Sequence, residues 1–131
     1  MKIVRHQIGP RFSEMVTVVI GDSRLIYLSG QVAENPSLDI TGQTRDVLHH
    51  IDTLLALEGA GREHIVSVTI YLRTVGDYAA MNAVWDEWVP AGHSPARATV
   101  GAKLIDSDYR VEIQAVAAIG PPAHGPAAAG G

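Results

Sequence analysis

The sequence predicts an α+β fold: one mixed sheet with two helices on a single face. Three observations point to it. Five stretches are rich in β-branched and other apolar residues, at 15–20, 25–30, 64–72, 95–104 and 109–119. Two segments between them repeat apolar residues at intervals of three and four. Their order is hairpin, helix, strand, helix, two strands, which packs most simply as two helices over one sheet. A chain of 131 residues suits one domain, and a hydrophobic fraction of 47% is enough for one core.

A short strand is predicted at Lys2 to Val4, before the Gly9-Pro10 break. "MVTVVI" (Met15 to Ile20) and "LIYLSG" (Leu25 to Gly30) flank a "GDSR" turn and read as a hairpin. "QVAENPSLDI" is polar and interrupted by proline, and reads as a loop. Asp39 or Thr41 then caps a helix carrying Val47, Leu48, Ile51, Leu54 and Leu55, which ends at Glu58-Gly59-Ala60-Gly61. "HIVSVTIYL" follows as a strand, with Val66, Val68, Ile70 and Leu72 expected on one face. Asp77 caps a second helix, in which Tyr78, Met81, Trp85 and Trp88 form the apolar stripe and Pro90 closes the element. "PARATVGAKL" and "YRVEIQAVAAI" are the last two strands, separated by a turn at Asp106-Ser107. The domain is therefore assigned to residues 1–119, and 120–131 ("GPPAHGPAAAGG") to a low-complexity flexible tail. Val16, Val18, Val66, Val68 and Val111 exceed what two helices can cover, so a second copy of the chain is expected on the other sheet face.

Composition narrows the function. The net charge is −4, from 10 basic and 14 acidic residues, which disfavours a nucleic-acid backbone as partner. Nothing in the charge pattern suggests a membrane surface, and there is no apolar run of bilayer length or signal-peptide core, so a soluble cytoplasmic protein is expected. Zero cysteines excludes disulfides and thiolate chemistry. His49 and His50 are adjacent on a helix and diverge by about 100°. The other histidines lack ligand spacing, so no metal site is expected. There is no phosphate-cradling glycine loop and no serine-nucleophile elbow around Ser29.

The residue that stands out is Arg97, in "SPARATV". Alternation sets Arg97, Thr99 and Gly101 on one strand face, and Arg110, Glu112 and Gln114 on one face of the next. Two readings stay open on pattern alone. One is a solvated sheet face with an Arg–Glu surface pair, contributing well under about 1 kcal/mol. The other is an anion site: a half-buried guanidinium needs a partner, and small neighbours Ala96, Ala98 and Gly101 leave room for a carboxylate ligand, with Glu112 as the candidate base.

The motifs "IYLSGQVA", "QTRDVLHHIDTLLALEGAG", "VSVTIYL", "MNAVW", "PARATV" and "VEIQAVA" stand in the order and spacing of one family. Over about residues 24–119 the chain resembles the RidA/YjgF family. The resemblance implies a chorismate-mutase-like fold and a homotrimer with ligand clefts between subunits. It implies hydrolysis, without a cofactor, of small enamine or imine intermediates of the 2-aminoacrylate/2-iminopropionate type, giving a 2-ketoacid and ammonia. Carried onto this sequence, the carboxylate-binding arginine is Arg97, the water-positioning glutamate is Glu112, and Asn82, Ser29 and Thr99 take substrate-binding positions. In that scheme Arg97 clamps the substrate carboxylate and Glu112 holds the attacking water. The chain departs from the family's Gly-Pro-Tyr at Gly9-Pro10-Arg11-Phe12, carries Thr99 where cysteine is common, and has Leu104-Ile105 where Leu-Pro is usual. Trp85-Asp86-Glu87-Trp88 also replaces the residues usual in the second helix. A non-catalytic binder of small carboxylates or ketoacids is the alternative, and a ribonuclease is disfavoured by the acidic balance.

Overall fold

A computed structural model of the chain describes residues 1–121. Residues 122–131, most of the assigned tail, lie outside the described residues. Seven strands form one sheet: β1 (Lys2–Ile8), β2 (Ser13–Ile20), β3 (Ser23–Leu28), β4 (Gln31–Val32), β5 (Ile65–Leu72), β6 (Ala96–Gly101) and β7 (Val111–Ile119). The order across the sheet is β1-β2-β3-β7-β5-β6, and β4 pairs with β7 beyond the end of β3. All pairings are antiparallel except β5 with β6. Two helices, α1 (Ile40–Ala56) and α2 (Tyr78–Trp88), cover one face. The mixed sheet with two helices is the architecture the sequence predicts.

The core lies between that face and the helices. Helix α1 buries Val47, Leu48, Ile51, Leu54 and Leu55, the predicted stripe, against Ile26, Leu28, Ile113 and Ala115 of the sheet. The Asp39 carboxylate caps α1 by accepting from the Gly42 amide at 2.8 Å. Gly59, at φ 69°, takes the left-handed conformation that ends the helix, and the Ala60 amide returns to the Leu55 carbonyl at 2.9 Å. Gln43 is fully buried within α1 and its amide is fully used. It donates to the carbonyls of Pro36, Leu38 and Asp108 and accepts from the Arg110 amide. One side chain thus pins two loops to the helix layer.

Several expectations are corrected. The first strand runs to Ile8, because Lys2–Ile8 pairs along β2 for nearly its whole length. The loop after Gly30 contains β4. Val66 does not share a face with Val68. A bulge between Ile65 and Ser67 turns Ile65 into the core and leaves Val66 about half exposed. Val68 and Val111 are buried under the helices, while Val16, Val18 and Val66 are not. Asp77 stands before α2 but makes no capping bond; its carboxylate lies 3.5 Å from Arg110 instead. Arg110 stands just before β7, and its guanidinium is engaged with Asp77. The last two strands are consecutive in sequence yet not adjacent, because β6 runs parallel to β5 at the sheet edge and β7 pairs on β5's other side.

Beyond the helices, no element among the described residues covers the second sheet face. Cross-strand rows there join Ile3, Val18, Leu25 and Ala118, then Arg5, Val16, Tyr27 and Val116. Ile3 and Tyr27 are each nearly half exposed, which is the apolar excess the valine count predicts.

Candidate functional site

Arg97 is paired in register with Val68, a core residue, so its side chain rises on the helix-covered face of edge strand β6. There it meets α2. Its guanidinium carbon stands 5.2 Å from the ring centre of Trp85 and 5.9 Å from that of Tyr78. Its Nη2 donates to the Tyr78 hydroxyl at 3.3 Å. Among the described residues no carboxylate lies within 4.0 Å of it. A guanidinium offers five N–H donors, and this one spends a single bond among the described residues. Thr99 lies two residues further along the same face, and its Oγ1 is buried with no hydrogen-bond partner among the described residues.

Tyr78, Asn82 and Trp85 share one side of α2 because they are spaced four and three apart. A hydrogen bond from Asn82 and, next, the positive charge of Arg97 hold the Tyr78 phenol below the ordinary tyrosine range. Trp85 is buried at the base of the cluster, so the guanidinium rests on a fixed wall.

A second cluster forms where β3 gives way to β4. From the Tyr27–Val116 pair to the Gln31–Ile113 pair, the chain advances four residues against three on β7. The extra residue makes a bulge around Ser29-Gly30. The absence of a side chain at Gly30 makes room for Glu112: a Cβ would stand 2.8 Å from the Glu112 Cδ and closer still to its carboxylate oxygen. Glu112 is thus laid against bare backbone. Beside it the Ser29 hydroxyl donates to Glu14 Oε2 at 3.2 Å, and the Gln31 amide donates to the same oxygen at 3.0 Å. The Ser29 amide continues the ladder to the Glu14 carbonyl at 2.9 Å.

The five residues singled out in the sequence therefore fall into two groups. Arg97, Thr99 and Asn82 are brought together with Tyr78 and Trp85. Ser29 and Glu112 are brought together with Gly30, Glu14 and Gln31. The two groups do not meet within one chain. Glu112 is paired with Tyr71 and lies between buried Val111 and Ile113, so it points to the face opposite Arg97, with β5 between their strands. Two concavities, of about 650 Å³ beside α1 and about 270 Å³ between α1 and α2, are lined by neither Arg97 nor Glu112. Among the described residues no three His, Asp or Glu side chains converge to hold a metal ion.

Sequence reasoning missed Tyr78, which it placed in the core stripe but which is 46% exposed. The signal was available: Tyr78 stands one turn before Asn82 on α2. Glu14 was missed because its pairing with Ser29 depends on the hairpin register. A further charge-bearing cluster, at Arg62, is structural. The Arg62 guanidinium makes two bonds to Asp52, at 2.9 Å each, which raise its pKa. It also stacks over Trp88, whose indole N–H donates to Asp52 at 3.2 Å.

Comparison with known proteins agrees with this architecture. The pattern of the family described as Endoribonuclease L-PSP matches residues 8–119. The RutC family protein YoaB of Escherichia coli (strain K12) is 43% identical over 119 residues, covering 91% of this chain and 100% of that protein. A crystal structure of NMB1025 from Neisseria meningitidis, a member of the YjgF protein family, superposes with a TM-score of 0.84 at 46% identity. It covers 94% of this chain and 98% of that one. An uncharacterised protein from Pseudomonas aeruginosa gives 0.82 at 44% identity, over 89% of this chain and 98% of its own. On this evidence the chain belongs to the YjgF/RutC family, also called the RidA or L-PSP family.

Proposed function

We propose that the protein is a cofactor-independent hydrolytic deaminase of small carboxylate-bearing enamines and imines, releasing a 2-ketoacid and ammonia. The observation that carries this reading is the state of Arg97. It is a permanently charged group, fixed against two aromatic rings and free of any carboxylate partner among the described residues. A ligand carboxylate fits its free fork in bidentate fashion, and Asn82 and Thr99 offer polar groups beside it. The Glu112 carboxylate supplies the water-holding group. An imine carbon is already electrophilic, so fixing it against a held water is most of the catalysis required.

Because Arg97 and Glu112 occupy opposite faces of one sheet, the reading requires a second copy to unite them. A homotrimer, with the open sheet faces turned inward and the β6 edge of one copy against the next, would cover the exposed apolar rows and place the two groups in one cleft. The low charge of the surface, with acidic residues in excess, favours a small-molecule ligand over RNA despite the family's ribonuclease label. Residues 1–119 act here as one unit, and no helix among the described residues is long and apolar enough to cross a membrane.

The separation of the two groups also favours a second reading, a carboxylate or ketoacid binder in which Arg97 acts and Glu112 does not. One experiment separates them. An imine is generated in situ from an amino acid by an oxidase, and ketoacid release is followed. Acceleration lost in both Arg97→Ala and Glu112→Ala supports the deaminase. No acceleration by the wild type, with ketoacid binding lost only in Arg97→Ala, supports the binder.

A further inference from the structure

We propose that Tyr78 is a ligand-contacting residue: its phenol donates a second hydrogen bond to the carboxylate gripped by Arg97, and its ionised form closes the site by taking Arg97 for itself. The inference rests on the carboxylate reading of Arg97 and adds a residue to it. Three observations carry it. First, the hydroxyl oxygen accepts from Arg97 Nη2 at 3.3 Å, with Asn82 one turn on along α2. With a lone pair turned to the guanidinium, its own O–H is left to donate elsewhere. Second, Tyr78 is 46% exposed, although Met81 and Trp85 of the same apolar stripe are buried. Its polar end is presented where a ligand of Arg97 must sit. Third, Thr99 Oγ1, on the same side of β6, is a buried hydroxyl without a partner among the described residues, so the pocket floor holds unspent polar capacity.

The charges that act on the phenol come from both packed elements. Arg97 on β6 favours the phenolate, and Asp86 on α2 opposes it more weakly. Asp77, the preceding residue, is turned to Arg110. The phenol is therefore acidified on balance. While it is neutral, Arg97 keeps a net positive charge to offer and the O–H can donate. Once it is ionised, the pair is neutral overall, the donor is gone, and a carboxylate meets a like charge. Binding is thus full below the phenol's pKa and is lost as pH rises through it.

The test is calorimetric titration with 2-oxobutanoate as the probe, on the full chain, for wild type, Tyr78→Phe and Arg97→Gln. The phenylalanine keeps the ring over the guanidinium and removes only a half-exposed hydroxyl, so the fold is retained. The expected result is about tenfold weaker binding by Tyr78→Phe at pH 7. The wild-type affinity should also fall as the pH rises toward the alkaline range, beginning below the ordinary tyrosine range, a decline that Tyr78→Phe lacks. Equal wild-type and Tyr78→Phe affinities with the same alkaline decline, both above Arg97→Gln, would overturn the role of Tyr78 and leave the clamp standing. Wild type binding no better than Arg97→Gln would overturn the clamp, and this inference with it.

Discussion

Replacing Gly30 by alanine separates the position of Glu112 from the stability of the fold. The new Cβ would stand 2.8 Å from Glu112 Cδ and 3.1 Å from its Cγ, well inside contact distance. The obstacle is the far end of a flexible side chain, so the carboxylate swings aside and the backbone stays. A rotamer shift of that kind costs about 1 kcal/mol. The φ of Gly30 lies outside the left-handed region, so alanine also restricts the unfolded chain and returns about 0.5 kcal/mol. Thermal unfolding should therefore move by only a few degrees. The carboxylate, however, is displaced by an ångström or more from the place where the proposed mechanism needs it, and misplacement on that scale costs about a hundredfold in rate. The assay pairs a melting curve with ketoacid release from an oxidase-generated imine. A stable variant with undiminished rate would refute the role given to Glu112. A large loss of stability would refute the claim that its side chain is free to move.

Three further substitutions probe the framework. Gln43→Leu strips four hydrogen bonds from two loops and strands buried backbone groups, so it should cost on the order of 4 kcal/mol, read from the denaturant midpoint. A loss below 1 kcal/mol would show that water replaces the amide. Asp52→Asn weakens a pair whose side chains are 40% and 30% exposed, so it should cost no more than about 1 kcal/mol in the same measurement, and a loss above about 2 kcal/mol would contradict that screening argument. Gly59→Ala forces a side chain into the left-handed region at φ 69° and should destabilise by about 1 kcal/mol, and a neutral result would mean that the α1 terminus relaxes.

What was legible in the sequence was whatever periodicity alone decides. The stripe of α1 and the hairpin of β2 and β3 follow from spacing, and both formed as read. Where a single extra residue intervenes, alternation misleads. The bulge at Ile65/Ser67 moved Val66 to the other face, and the bulge at Ser29-Gly30 created the seat for Glu112. Sheet order was also hidden, because nothing local in "PARATV" says that it will pair parallel to β5 rather than with the strand that follows it. That order decides the chemistry, since it places Arg97 under α2 and Glu112 on the far face. Alternation put Arg97 and Thr99 on one face correctly, but which face they share is a tertiary fact. Tyr78 was assigned to the core by its spacing, and its exposure follows from standing in the first turn of α2, over the sheet edge.

Subunit complementation tests the central claim most directly. Arg97→Ala and Glu112→Ala are each purified, then unfolded together in equal amounts and refolded, and ketoacid release is measured. If each cleft takes Arg97 from one copy and Glu112 from its neighbour, both variants are inactive alone and the mixture regains about one quarter of the wild-type rate, the share of clefts in which both groups are intact. A mixture that assembles but stays as inactive as its parents would contradict a site shared between copies.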